Sequence, residues 1–119
     1  MSELHAIEEV ILQYFKGLHQ GDASLLRQVF LPAAVICGYY EGELVNVELP
    51  GYLHILRNMS APERIGEEFD MSLTAIDLIG NTASVRTRYL FEALNYVDHL
   101  SLVKINGEWK IVSKVFHHD

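Results

Sequence analysis

The chain has one cysteine, three prolines and nine basic residues against sixteen acidic ones in 119 positions. A lone cysteine, Cys37, excludes an internal disulfide and a cysteine-built zinc cage, and its setting Val35-Ile36-Cys37 predicts a small buried apolar residue. A formal charge of −7 argues against nucleic acid as a partner, because phosphate-backbone binding depends on clustered Lys and Arg releasing counterions. No run approaches the ~20 apolar residues of a membrane span, and the start Met1-Ser2-Glu3-Leu4-His5 lacks the basic, then apolar, layout of a secretory signal. A cytoplasmic protein without a membrane partner is expected. The histidines His5, His19, His54, His99, His117 and His118 show no i, i+4 or His-x-His pairing, so neither a metal site nor a cofactor is expected.

What is present is a globular composition, half hydrophobic, of a length that suits residues 1–119 as a single domain. The final segment, residues 98–116, reads as two long strands joined by Asn106-Gly107, the preferred pair for a type I′ turn. Counting outward from that turn sets Lys104 opposite Trp109, Leu102 opposite Ile111, Leu100 opposite Ser113 and Asp98 opposite Val115. The face carrying Leu100, Leu102, Trp109, Ile111 and Val115 looks inward, while His99, Ser101, Lys110 and Lys114 fall on the other face. Asp98 is therefore a carboxylate aimed at a core or a pocket.

Upstream, Ile7, Val10, Ile11, Tyr14, Phe15 and Leu18 recur at helical spacing over residues 2–19, with Ser2 as cap. Asp22 caps a shorter helix that Pro32 ends. Strands follow over residues 33–40 and 43–48, then a third helix after Pro50 with Leu53, Leu56 and Tyr52 facing in, and a loop over residues 59–66. Two more strands meet at Gly80-Asn81, pairing Ile76 with Val85, Leu78 with Ala83 and Thr74 with Thr87, and the chain turns again near Leu94-Asn95. Helices first, then a long antiparallel meander, predict an α+β domain: a cone-shaped, strongly curved antiparallel sheet with about three helices packed on its concave face.

Tyr14 with Gly17 and Gly21-Asp22, Phe30-Leu31-Pro32-Ala33-Ala34, residues 80–85 and residues 96–116 together resemble the nuclear transport factor two-like superfamily, in its lumazine-binding-like branch near the polyketide cyclases and ketosteroid isomerases. The resemblance covers the whole chain. It implies a hydrophobic pocket between sheet and helices and a homodimer through the sheet, without implying one activity. In the isomerases an aspartate near the end of the first strand abstracts the proton, and the matching position here is Gly38. Dehydratase relatives use a pair of pocket histidines, and the inward strand positions offer none.

Asp98 in a pocket suits general-base work, with Tyr14, Tyr89 or Tyr96 as hydrogen-bond donors to it or to a ligand oxygen. A structural Asp satisfied by a tyrosine hydroxyl is the alternative. Register across the Leu94-Asn95 turn sets Phe91 beside Asp98 and Tyr89 beside Leu100, so Asp98, Tyr14, Tyr89, Phe91 and Leu100 are expected to line one cavity, with His54 at its mouth or merely solvated. Only one of Tyr39 and Tyr40 can face the pocket. Trp109 across from Lys104 suggests a cation–π contact, and Arg86 with Arg88 a solvated or dimer-interface stripe. Val97, Val103, Val112 and Phe116 on the outer face point to a homodimer. Three functions remain open: a binder of a small organic molecule in an apolar cavity; an isomerase, dehydratase or cyclase with Asp98 as base and Tyr14 or Tyr89 as donor; and an interaction module with a filled core.

Overall fold

The computed structural model describes residues 2–119. Helix α1 (Glu3–Gln20) starts where the Ser2 side chain accepts from the His5 backbone N–H and ends at Gly21, whose φ of 68° only glycine adopts freely. Its buried stripe is Ile7, Ile11, Tyr14, Phe15 and Leu18. Helix α2 (Ala23–Val29) is capped by the Asp22 carboxylate and turns directly into strand β1 (Phe30–Tyr40). Pro32 thus lies inside the strand rather than at a helix end. It sits where the pairing of β1 with its neighbour is interrupted between Phe30 and Val35, so its missing N–H breaks no ladder bond.

Strand β2 (Glu43–Glu48), helix α3 (Leu49–Arg57), and strands β3 (Met71–Ile79), β4 (Thr82–Phe91), β5 (Leu94–Ile105) and β6 (Glu108–His118) complete the chain. The strands form one sheet in the order β2-β1-β6-β5-β4-β3. All neighbours are antiparallel except β1 and β6, which run parallel because the chain crosses to the far edge before returning to the middle. This is the expected α+β architecture, with three helices on one face of a curved sheet.

Three local features shift the register from the simple count. Asn106 and Gly107 both take positive φ, 51° and 81°, and the pairs Lys104–Trp109 and Leu102–Ile111 form as expected. The ladder then steps between Ser101 and Leu102: Ser101 pairs with Ser113, leaving Val112 as an extra residue on β6. Beyond this bulge the faces of β6 exchange. Leu100 lies opposite Lys114 and Asp98 opposite Phe116, so Lys114 is buried and Phe116 turns inward, while Val115 is 50% exposed. A second bulge at Thr74 pairs Leu73, not Thr74, with Thr87.

The third shift comes from the turn between β4 and β5, which is Glu92-Ala93 rather than Leu94-Asn95. Both residues take positive φ, 50° and 63°, without a glycine. Their backbone N–H groups donate to the Glu67 carboxylate at 2.9 and 2.7 Å, which fixes the turn from outside. Moving it two residues upstream pairs Thr87 with Asp98, Tyr89 with Tyr96 and Val85 with Leu100. Phe91 is thereby opposite Leu94, not beside Asp98.

Cys37 is half-buried on the outer face of β1, between the exposed Val35 and Tyr39, and is not a core residue. Trp109 and Lys104 do not stack; each instead reaches the Glu3 carboxylate at 2.8 Å, which joins the hairpin end to the first turn of α1.

Candidate functional site

Five elements deliver a polar cluster to the interior between sheet and helices. Tyr14 comes from the inner stripe of α1, Tyr52 from α3, Thr87 and Tyr89 from β4, Asp98 from β5, and Lys114 from β6 just past its bulge. Asp98 and Thr87 are fully buried and Lys114 is 2% exposed, so every polar atom here needs a partner in the protein.

Asp98 accepts from the Tyr14 hydroxyl and from Thr87 Oγ1 at 3.2 Å through Oδ2, and from the Tyr89 hydroxyl at 3.0 Å through Oδ1. Lys114 Nζ lies 3.7 Å from Asp98 Oδ1. Its three hydrogens go to the hydroxyl oxygens of Tyr14 (2.8 Å), Tyr52 (2.6 Å) and Tyr89 (2.9 Å). No described buried side-chain polar atom lacks a partner. Tyr14 and Tyr89 thus relay between cation and carboxylate. Tyr52 accepts from Lys114.

Burial, then the negative charge of Asp98, hold the Tyr14, Tyr52 and Tyr89 hydroxyls well above the ordinary 10.0, so all three remain donors. Burial also lowers Lys114 from the ordinary 10.5, against the opposing pull of Asp98.

An apolar pocket of about 510 Å³, part of it open to solvent, ends on this cluster. Its walls come from Leu18, Val45, Ile55, Leu56, Met59, Phe91 and Phe116 with the rings of Tyr40 and Tyr96; its inner end is Tyr52, Tyr89 and Lys114. Tyr96 stacks on Tyr89 at 5.3 Å with the rings 10° apart. A second cavity, between the ends of α1 and α3, shares Leu18, Leu56, Met59 and Phe91 and carries Arg57 and Arg64.

Of the residues singled out from sequence, Tyr89 and Phe91 line the pocket. Tyr14 and Asp98 lie behind its polar end, joined to it through Tyr89 and Lys114. Leu100 is a core residue opposite Lys114, and His54 is exposed on α3, hydrogen-bonded with Asn58. Of the tyrosine pair, Tyr40 faces the pocket and Tyr39 is 62% exposed.

Lys114 escaped the sequence reading because an unbroken ladder put it outside. No local signal marks the bulge: Trp109, Ile111 and Val115 keep one parity as an unbroken ladder requires, and Val112 and Phe116 share the other. Among the described residues, no group of three or more His, Cys, Asp or Glu could hold a metal ion, and no helix is long and apolar enough to cross a membrane.

The space of a possible catalytic base on β1 is filled. Gly38 pairs with Phe116, and a Cβ there would come within 2.4 Å of the Phe116 carbonyl oxygen and 2.8 Å of its ring.

Comparison with known proteins places the chain among relatives. It is similar to Aldolase FrzH of Cladobotryum sp., 30% identical over 118 residues that cover 98% of this chain and 91% of that protein. A nuclear transport factor two-like protein of unknown function from Shewanella baltica OS155 superposes with a TM-score of 0.86 at 28% identity, covering 98% of this chain and 94% of that one. A second such protein, from Silicibacter pomeroyi DSS-3, gives 0.84 at 20% identity over 100% of both chains. The fold is thus nuclear transport factor two-like, and with the family pattern matched over residues 2–117, the chain belongs to the family described as Putative lumazine-binding.

Proposed function

We propose that the protein binds a small organic molecule whose apolar body fills the pocket and whose oxygen meets the Tyr52 hydroxyl and Lys114 at its inner end. The observation that carries this reading is the contrast within the pocket: aliphatic and aromatic walls, with a cation and a hydroxyl at one end. A neutral carbonyl compound fits better than a carboxylate, because Asp98 already balances the Lys114 charge. Calorimetric titration with matched aryl ketones and aryl hydrocarbons tests this: the ketones should bind more tightly, and Tyr52→Phe should erase the difference. Equal affinity of both series for the native protein would overturn it.

A second reading, an enzyme of the isomerase, dehydratase, cyclase or aldol type, is supported by the similarity to Aldolase FrzH and by the continuous Asp98–Tyr–Lys114 relay. In it Asp98 works through the hydroxyls of Tyr14 and Tyr89 rather than on the ligand itself. We also propose that residues 1–119 act as one domain in a cytoplasmic homodimer. Val35, Tyr39 and Val115, exposed on the outer sheet face, support that assembly. Sedimentation showing a monomer at micromolar concentration would reject it.

A further inference from the structure

Lys114 is placed differently from the other three lysines of the chain. Lys16 is exposed on α1, Lys104 pairs with Glu3, and Lys110 reaches Glu108 and the Gln28 carbonyl at the surface. Lys114 is buried, yet it is one of the residues that line an open apolar pocket. A lysine serving only to neutralise Asp98 needs no access to that pocket. Beside it stands Tyr52, which also lines the pocket and whose hydroxyl accepts a hydrogen from Nζ at 2.6 Å.

From this arrangement we infer that Lys114 forms a covalent imine with the carbonyl carbon of an apolar aldehyde or ketone held in the pocket, with Tyr52 moving the proton. The inference rests on the pocket reading above and deepens it.

The geometry supplies each step. As the carbonyl oxygen takes the place opposite the Tyr52 proton, the ammonium passes one hydrogen to the Tyr52 oxygen while Tyr52 passes its own to the carbonyl oxygen. The freed nitrogen lone pair forms the N–C bond as the C=O π bond breaks, leaving a protonated carbinolamine. A second proton moves from nitrogen to the new hydroxyl by the same route, and water departs as the C=N bond forms. The sum is ammonium plus carbonyl compound giving iminium plus water, balanced in atoms and charge.

The single positive charge beside Asp98 is present before and after, so the buried carboxylate, 3.7 Å from Nζ, is never left without its counter-ion. Burial, which disfavours the ammonium, assists the release of the first proton. Tyr14 and Tyr89, bound to both charges, hold the amine in place and are positioning residues.

The test uses naphthaldehyde with sodium cyanoborohydride, which delivers hydride to an iminium and makes the link permanent, and naphthalenemethanol as the counterpart without a carbonyl. Intact mass and peptide mapping should find one naphthylmethyl group, on Lys114, and naphthalenemethanol should compete against its formation. Tyr52→Phe should slow trapping more than it weakens binding of the alcohol. Because Lys114→Met alone strands Asp98, the control carries Lys114→Met with Asp98→Asn; it should bind the alcohol more weakly than the native protein, through the apolar walls and Tyr52, and form no adduct. Binding of both compounds with Lys114 unmodified, or with all four lysines modified alike, would overturn the imine and leave the pocket reading standing. Failure of both compounds to bind would remove the pocket reading and the imine with it.

Discussion

At the turn end of the β5–β6 ribbon, Trp109, Ile111 and Leu102 bury hydrocarbon, and polar groups such as Glu3 and Lys104 stay at the rim. Past Val112 the same two strands bury Asp98 and Lys114. The turn end needs only area removed from water. The far end needs every hydrogen bond made, because charges moved out of water are tolerated only when paired and fully bonded. One extra residue separates the two regimes, and it also decides which side chains reach the pocket.

Removing that residue should have the largest effect. Deleting Val112 restores an unbroken ladder and would turn Lys114 and Phe116 outward, so loss of cooperative urea unfolding is expected. Next, Asp98→Ala leaves the Lys114 ammonium buried without its counter-ion, and should cost about 3–5 kcal/mol by denaturant midpoint. Adding Lys114→Met should recover part of the loss, a coupling that a double-mutant cycle reads directly. At the turn end, Ile111→Ala should cost about 2–5 kcal/mol through a plain cavity and show no coupling to Lys114→Met.

The two ends should also differ in their response to pH. Tyr14, Tyr52 and Tyr89 titrate above 10.0 in the folded protein, so the native state holds protons that the unfolded chain releases. Their contribution is fully present below pH 10.0 and declines as pH rises beyond it. Lys114 acts in the opposite sense below its ordinary 10.5, where its lowered value makes stability rise with pH. Urea midpoints should therefore fall above pH 10.0, and fall less in Tyr52→Phe. The smallest effect belongs to the turn itself: Gly107→Ala, at φ 81°, should cost about 1 kcal/mol and leave ligand binding unchanged.

The turn end was open to sequence reasoning because Asn106-Gly107 permits one tight register and the apolar alternation is regular for four pairs outward. The three helices and the Gly80-Asn81 hairpin were legible for the same local reasons: a cap, a period or a turn pair. The candidate site was legible in its carboxylate, in two of its tyrosines, Tyr14 and Tyr89, and in Phe91 on the pocket wall. Lys114 depended on a bulge, and the Tyr89–Tyr96 and Thr87–Asp98 pairs on a glycine-free turn that Glu67 stabilises from 25 residues upstream of Glu92. The parallel β1–β6 pairing likewise has no local signature, since nothing in either strand's sequence names its neighbour.

The contact between Gly38 and Phe116 bears on how this chain could change by mutation. A carboxylate at position 38 cannot arise as a first step, because the substituted strand would strike the Phe116 backbone and ring. Phe116 would have to be trimmed and β1 displaced beforehand, and both changes reshape the pocket that the carboxylate was meant to serve. A route to a base at position 38 therefore passes through intermediates that have lost the present pocket and not yet gained a base, which leaves Lys114 and its tyrosines as the accessible ground for new activity.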